Sequence, residues 1–235
     1  MTNRVASPRG KQICPARLNP FAVARTDGLA FRFPDTTWEA EWSRLVAMGW
    51  RATICGPHGT GKTTLLEQLQ PRLQRCGRVC WLTRPPLNRR EQSQFLDRCF
   101  DQPDSTILLV DSAEQLSCWN WWRLVRESAR RNQGLVATVH RPSRLLPTWV
   151  RTQTTPDLFL ELLAELVPLG DESWKTAALN SYQGHHGNIR NAFRELYDRY
   201  PFQSTTVTSG SIPAGQALSG NSISAGARAR TRFGS

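Results

Sequence analysis

The sequence predicts an α/β protein with a mostly parallel five-stranded sheet flanked by helices, followed by a small C-terminal helical lid. Three observations support this fold class. A glycine-rich segment stands between a short apolar strand and an amphipathic helix. A run of four apolar residues further along ends in an aspartate. Strand patterns alternate with helical patterns up to residue 166, which is typical of parallel strands joined by crossover helices.

The glycine-rich segment, called the phosphate loop below, fits the pattern G-x-x-x-x-G-K-[ST] without a mismatch. Glycines let backbone N–H groups approach a phosphate closely, and the helix that begins near Lys62 directs its positive dipole end at the same anion. We expect Lys62 to contact the β- and γ-phosphates of a nucleoside triphosphate and the Thr63 hydroxyl to ligate a bridging Mg²⁺. The predicted phosphate-binding residues are Gly56, Pro57, His58, Gly59, Thr60, Gly61, Lys62, Thr63 and Thr64.

The strand at 106–111 is the second part of the predicted site. It carries four apolar residues and ends in Asp111, so a buried parallel strand would deliver this carboxylate to the edge of the sheet. An apolar strand that ends in aspartate is common. Here, however, one strand–helix unit separates it from Lys62, and this placement strengthens the signal. We therefore expect Asp111 to hold Mg²⁺, directly or through water.

The remaining elements follow from periodicity and from turn residues. The other predicted strands span 51–55, 78–83, 134–140 and 149–154. The predicted helices span 38–50, 89–100, 113–132 and 156–166, in addition to the one after the phosphate loop. Pro71 should bend or end that loop helix. The lead-in at 19–34 is a candidate lining for the adenine pocket.

Length and composition predict one domain with tails, because 235 residues at 39% hydrophobic content can build a single core. We predict a flexible tail at 1–18, an ATPase-like core at 19–168, the helical lid at 169–202 and a disordered basic tail at 203–235.

Several classes of protein are disfavoured. No run of about 18 apolar residues could span a membrane, and the polar start lacks an apolar signal core. The six cysteines contain no C-x-x-C pair and no histidine at ligand spacing, so zinc and disulfides are not expected. The chain therefore reads as a cytoplasmic protein.

The net charge of +11 leaves DNA open as a partner. Most of the excess lies in the end segments. Arginine dominates the basic residues, which either coding bias or phosphate recognition would explain. Trp119, Trp121 and Trp122 could stack nucleic-acid bases, but packing against the sheet or a partner subunit is the favoured interpretation.

Two further site residues are predicted from their positions. The fourth strand ends in polar Thr138 and His140, where a residue that senses the γ-phosphate or the attacking water would lie.

Two short helices then flank 184–190 and form the lid, whose adjacent histidines lack the additional ligands that a metal needs.

With its phosphate loop and Asp111 strand, the chain resembles P-loop ATPases of the AAA+ type over about residues 19–200. The Gly187-Asn188-Ile189-Arg190 segment is similar to the family's sensor-2 signature, which implies that Arg190 lies near the γ-phosphate. The Asn-Pro-Phe lead-in at 19–21 and the loop also resemble helper ATPases of bacterial secretion and transposition systems.

One departure from the family pattern concerns hydrolysis. Members that hydrolyse ATP quickly usually place glutamate directly after the Mg²⁺ aspartate, whereas this chain has Ser112 there. Glu114 is the nearest carboxylate. It is either the group that polarises the attacking water or a solvated first-turn residue. Arg144 and Arg151 are the candidates for an arginine finger.

Three functions remain open from the sequence. The first is a Mg²⁺-dependent ATPase whose nucleotide state moves the lid and controls assembly with itself or a partner protein, with DNA loading as a variant. The second is an ATP-binding adaptor or switch with little turnover. The third is a small-molecule or nucleotide kinase, in which Arg89 and Arg90 could contribute to a mobile lid.

Overall fold

A computed structural model describes residues 19–167 and 172–200. The predicted tails at 1–18 and 203–235 and the predicted boundary at 168–169 lie outside these residues. Within them, no helix has the combination of length and hydropathy needed to cross a lipid bilayer.

Five parallel strands form one sheet in the order β2-β3-β4-β1-β5. In chain order they are β1 (Arg51–Cys55), β2 (Cys80–Thr83), β3 (Ile107–Val110), β4 (Gly134–Val139) and β5 (Thr148–Arg151). Every residue of β3 and β4 is buried, which explains their nearly continuous apolar sequences. The predicted mostly parallel five-stranded sheet is confirmed.

Eight α-helices are present in the described part of the chain. They are α1 (Val23–Thr26), α2 (Trp38–Ala47), α3 (Lys62–Arg75), α4 (Gln92–Phe100), α5 (Cys118–Arg130), α6 (Pro156–Leu166), α7 (Glu172–Gly184) and α8 (Ile189–Arg199). Side-chain caps define several of the helix starts. Thr155, for example, accepts a hydrogen bond from the Leu158 amide at 3.2 Å, and Pro156 occupies the first position of α6.

The helix predicted at 113–132 is two pieces rather than one. A short 3-10 turn at Ala113–Gln115 is followed by Leu116 in extended conformation, and α5 begins only at Cys118. The physical reason is a competing cap, because the Ser117 hydroxyl accepts a hydrogen bond from the Asn120 amide at 3.2 Å and starts a new helix there.

The helix after the phosphate loop does not end at Pro71 but continues to Arg75. An interior proline costs about 3 kcal/mol in a helix. Leu69 and Leu73, on either side of Pro71, are fully buried in the core. Burial of such a side chain is worth about 1.5–3 kcal/mol, so tertiary packing offsets the proline.

The core consists of three apolar clusters. One joins α4 and α5 to the sheet, and a second joins α2 and α3 to it. The third joins Phe21 of the lead-in to Phe159 of α6 and to Tyr182 and Phe193 of the two lid helices. The lead-in and the lid are therefore packed together, and both approach the phosphate loop.

Candidate functional site

The phosphate loop connects the end of β1 to the start of α3, in the strand–loop–helix context that the motif needs. Gly61 is the N-cap of α3 and has φ +86°, a left-handed conformation that favours glycine. Gly59 has φ +73°, and a Cβ atom there would lie 1.9 Å from Oδ1 of Asn188 in the lid. A side chain at position 59 would therefore be excluded by both strain and contact.

The Lys62 side chain folds back onto the backbone of the phosphate loop. Its Nζ donates hydrogen bonds to the carbonyl oxygens of Gly56 at 2.8 Å and Pro57 at 2.6 Å. The residue is only 8% exposed. Burial lowers the pKa of Lys62, while the nearby charges of Glu114 and Asp111 oppose this shift. The Lys62 amine thus lies against the backbone of the loop.

Asp111 and Thr63 converge from different elements. Oδ1 of Asp111 accepts hydrogen bonds from the Thr63 hydroxyl at 3.1 Å and from the Thr138 hydroxyl at 2.8 Å. Asp111 follows β3 directly and is 5% exposed, whereas Thr63 is in the first turn of α3. The structure therefore brings together the two residues that were predicted to bind the metal.

These residues fit a nucleotide-bound Mg²⁺. A hydroxyl oxygen and a carboxylate oxygen, both hard ligands, lie side by side next to the phosphate loop. Among the described residues, no group of three or more His, Cys, Asp or Glu side chains could hold a metal by itself. A divalent cation here would need phosphate oxygens and water as well, which is the usual way that Mg²⁺ is bound with nucleotides.

Thr138 is the buried link between Asp111 and the following backbone. Its hydroxyl donates to Asp111 and accepts a hydrogen bond from the Ser112 amide at 2.6 Å. Thr138 thus orients the carboxylate and the turn after it. Its predicted role in sensing the γ-phosphate stays a prediction.

Glu114 points back to the phosphate loop. Ser112 has a left-handed φ of 62°, which reverses the chain after β3. Glu114 Oε1 then lies 2.8 Å from Nε2 of His140. The other ring nitrogen of His140 is 3.3 Å from the Gly56 carbonyl and 3.4 Å from Lys62 Nζ. The carboxylate is therefore linked to the loop through His140, a contact that sequence reasoning missed.

His58 completes a small imidazole pair above the loop. Its ring centroid lies 3.8 Å from that of His140, with a tilt of 45° between the rings. The pKa of His58 is lowered, chiefly by the neighbouring His140, with smaller contributions from burial and from Lys62. His58, at an exposed position of the loop, is therefore harder to protonate beside His140 and Lys62.

Arg84 is a site residue that sequence reasoning missed. It directly follows β2, next to β3 in the sheet, and its Nε donates to Oδ2 of Asp111 at 3.0 Å, while Nη2 contacts the same oxygen. The available signal was its position after an apolar strand. The sequence does not show that β2 neighbours β3, so this position alone could not link Arg84 to Asp111.

A cavity of about 520 Å³ lies beside the phosphate loop. Residues from the lead-in, the loop and the lid line it, among them Phe31, Gly61, Thr64 and Arg190. Arg190 and part of the 19–34 lead-in thus line the same cavity as the phosphate loop, while their predicted places near the γ-phosphate and the adenine stay predictions. Arg144 and Arg151 are exposed and do not line the cavity.

The parallel sheet, phosphate loop and flanking helices together have the fold of the AAA+ P-loop ATPases. This is the fold class that the sequence predicted.

Two solved structures illustrate the likeness. A RuvB mutant from Thermotoga maritima is 17% identical, with a TM-score of 0.50 over 72% of this chain and 63% of that chain. AMPPCP-bound DnaA from Aquifex aeolicus is 14% identical, with a TM-score of 0.51 over 79% of this chain and 65% of that chain. The chain therefore spans less than two-thirds of the length of either structure, and at these identities the likeness is one of fold.

No protein-family model matches the sequence, and no curated protein matches it significantly. The closer resemblance to secretion and transposition helper ATPases stays a prediction, because neither solved structure tests it.

Proposed function

We propose that this chain binds ATP with Mg²⁺ at the phosphate loop and hydrolyses it, and that its nucleotide state controls the helical lid. One observation carries the proposal: the Thr63 hydroxyl meets the buried Asp111 carboxylate at 3.1 Å, beside the buried amine of Lys62. The residues proposed to act as the catalytic cation, the metal-binding pair and the phosphate-binding backbone thus lie close together, which supports the proposal. The AMPPCP-bound relative of the same fold supports the choice of ATP.

Each residue has a defined task in this proposal. Lys62 exchanges its two carbonyl contacts for phosphate oxygens and stabilises the negative charge of the transferred group. Thr63 and Asp111 would hold Mg²⁺, which neutralises phosphate charge when bound. Thr138 keeps the Asp111 carboxylate in place through its 2.8 Å hydrogen bond.

Glu114 is the proposed group that orients and deprotonates the attacking water. The 2.8 Å contact with His140 holds its carboxylate towards the loop, although it lies two residues later than the glutamate of rapidly hydrolysing relatives. His140 is therefore a positioning residue. Loss of a general base typically slows a reaction by about 10²–10⁴-fold.

The position of the lid is proposed to depend on which nucleotide is bound at the phosphate loop. Asn188 of the lid abuts Gly59 of the loop, and Arg190 lines the adjoining cavity. A γ-phosphate near Arg190 would favour a different lid position from a diphosphate, so ATP and ADP states would present different surfaces to another copy or a partner protein.

An adaptor with little turnover is the second candidate function. The observation in its favour is Ser112, which stands where rapidly hydrolysing members of the resembled family have the general base. Both candidates bind ATP, and they differ in turnover.

Phosphate release and binding of a fluorescent ATP analogue, each measured with Mg²⁺ and no added acceptor, test the proposal. Lys62→Ala should abolish both, and Asp111→Asn should retain some binding but lose Mg²⁺-dependent turnover. Arg75→Ala removes an exposed charge at the far end of α3 and serves as the control. Binding without turnover in the native chain would favour the adaptor, and no binding at all would refute both candidates.

A further inference from the structure

Two of the three clustered tryptophans are not part of the core. Trp121 packs against the cluster that joins α4 and α5 to the sheet, and its indole N–H donates to the Ser143 hydroxyl at 3.2 Å. Trp119, in contrast, is 66% exposed, and its ring is stacked on that of Trp122 with centroids 4.8 Å apart and a tilt of 22°. Trp121 therefore packs as the first of the two favoured interpretations expects, against the sheet, and Trp119 does not; packing of Trp119 against a partner subunit stays a prediction.

Exposed Trp119 and half-buried Trp122 belong to a continuous stripe on α5. Helical spacing of three and four residues places five side chains on the side opposite buried Leu124 and Ser128. We call this stripe the tryptophan–arginine face; it consists of Trp119, Trp122, Arg123, Arg126 and Arg130.

The positive charges of this face are only partly compensated. Arg123 lies 3.7 Å from Asp97, and Arg130 lies 3.2 Å from Glu127 on the flank of the helix. The Arg126 guanidinium lies 5.1 Å from the ring centre of Trp122, and it pairs with no carboxylate in the part of the chain that the structure describes. A flat aromatic surface is thus bordered by arginine donors that are available to an anion.

We propose that the tryptophan–arginine face binds single-stranded nucleic acid. The open side of Trp119 offers a stacking surface to an unpaired base, and Arg126 and Arg130 follow it at the spacing of successive helical turns, where they can contact phosphates. The three arginines of the face complement a polyanion.

The chemistry of the face distinguishes this ligand from others. A duplex keeps its bases stacked internally, so it could use the arginines but not Trp119. An apolar protein surface would cover the tryptophans but would also bury the Arg126 charge without a partner, which is costly. Single strands satisfy both features at once. The proposal uses no residue of the ATP site, so either can fail without the other.

Fluorescence anisotropy of the full-length chain with a labelled 20-nucleotide oligothymidylate tests the proposal. Trp119→Ala should weaken binding by about 5- to 150-fold, the loss in affinity that corresponds to removing one base–aromatic stack. Trp119→Phe keeps an aromatic ring and should retain most of the affinity. Arg126→Gln should reduce the slope of log affinity against log salt by about 0.7, the value for one phosphate contact on a single strand. A duplex of equal length should bind more weakly and be insensitive to Trp119→Ala.

Arg75→Gln removes the same charge from an exposed position on α3, so it separates this face from general attraction. An oligouridylate of the same length shows whether RNA or DNA is preferred, and stacking by either supports the proposal. It is overturned if the native chain does not bind oligothymidylate, or if Trp119→Ala and Arg126→Gln behave like Arg75→Gln. It is also overturned if Trp119→Ala dissociates an oligomer in analytical ultracentrifugation while affinity for the oligonucleotide is unchanged.

Discussion

At the scale of single residues, the Asp111 carboxylate has a different partner on each oxygen. Oδ1 faces the Thr63 and Thr138 hydroxyls, and Oδ2 is engaged by Arg84. A divalent cation that uses this carboxylate has to share its charge with a guanidinium. Arg84 is 59% exposed, so its side chain has room to leave the carboxylate for solvent or for a phosphate oxygen.

We therefore expect Arg84→Ala to lower the Mg²⁺ concentration needed for half-maximal binding of an ATP analogue. The change should be about two- to fivefold, because a partly exposed ion pair is worth about 1 kcal/mol at most. A magnesium titration monitored by analogue fluorescence measures it, and Arg84→Lys, which keeps the charge, is the matched control. An increase in the required Mg²⁺ concentration would instead mean that Arg84 positions the carboxylate for the metal.

Glu114 and His140 lead to a second residue-scale prediction. Glu114→Gln should reduce phosphate release by about 10²–10⁴-fold and leave analogue binding intact, as expected for loss of a general base. His140→Ala should also slow release, because it removes the 2.8 Å contact that directs the carboxylate to the loop. Single-turnover measurements separate chemistry from binding. Unchanged turnover in Glu114→Gln would exclude this carboxylate as the water-activating group.

At the scale of elements, residues at element ends connect the lid and the loop. Asn188 caps α8, because its side chain accepts a hydrogen bond from the Asn191 amide at 3.1 Å, and the same side chain abuts Gly59. Thr154, just after β5, donates to the Gly187 carbonyl at 2.7 Å. The lid is thus attached to the site by the residues immediately before α8.

Asn188→Ala should lower the free energy of unfolding by about 1 kcal/mol, the typical value of an N-cap side chain. Asn188→Ser keeps a capping oxygen and should lose much less. Urea denaturation of the two variants and the native chain measures the difference. Equal losses in both variants would show that the asparagine acts through its contact with Gly59 instead of through the cap.

The division of the predicted helix at 113–132 also belongs to this scale. Its apolar residues suit one continuous helix, so periodicity alone could not reveal the interruption. A cap at Ser117 and a left-handed Ser112 start a new helix at Cys118 and place Glu114 in a tight turn beside the loop. A continuous helix would have presented Glu114 on an ordinary first turn, which is the solvated alternative considered for this residue.

At the scale of the whole molecule, three apolar clusters hold the sheet, its helices and the lid together within residues 19–167 and 172–200, and a cavity lies beside the phosphate loop. Phosphate-loop, lead-in and lid residues all line this cavity. A ligand that contacts all three should therefore stabilise the fold as a unit.

Saturating MgATP should raise the melting temperature of the native chain by roughly 5–11 °C. A ligand at 100 times its Kd adds about 2.7 kcal/mol, and each kcal/mol shifts Tm by about 2–4 °C in a domain of this size. Differential scanning fluorimetry measures the shift. Lys62→Ala should lose it, whereas Arg75→Ala should retain it. A full shift in Lys62→Ala would place the nucleotide away from the phosphate loop.

The sequence by itself determined the features whose causes are local. The phosphate loop is contiguous, its glycine and lysine positions follow from the anion that they are proposed to bind, and the buried strand before Asp111 is recognisable as an apolar run. Only the tertiary structure decided which strand ends meet, because the order β2-β3-β4-β1-β5 results from pairing between distant segments and cannot be read from any one of them. That order brings Arg84, Thr138 and His140 to the site, and their roles depend on contacts between residues that are distant in the chain.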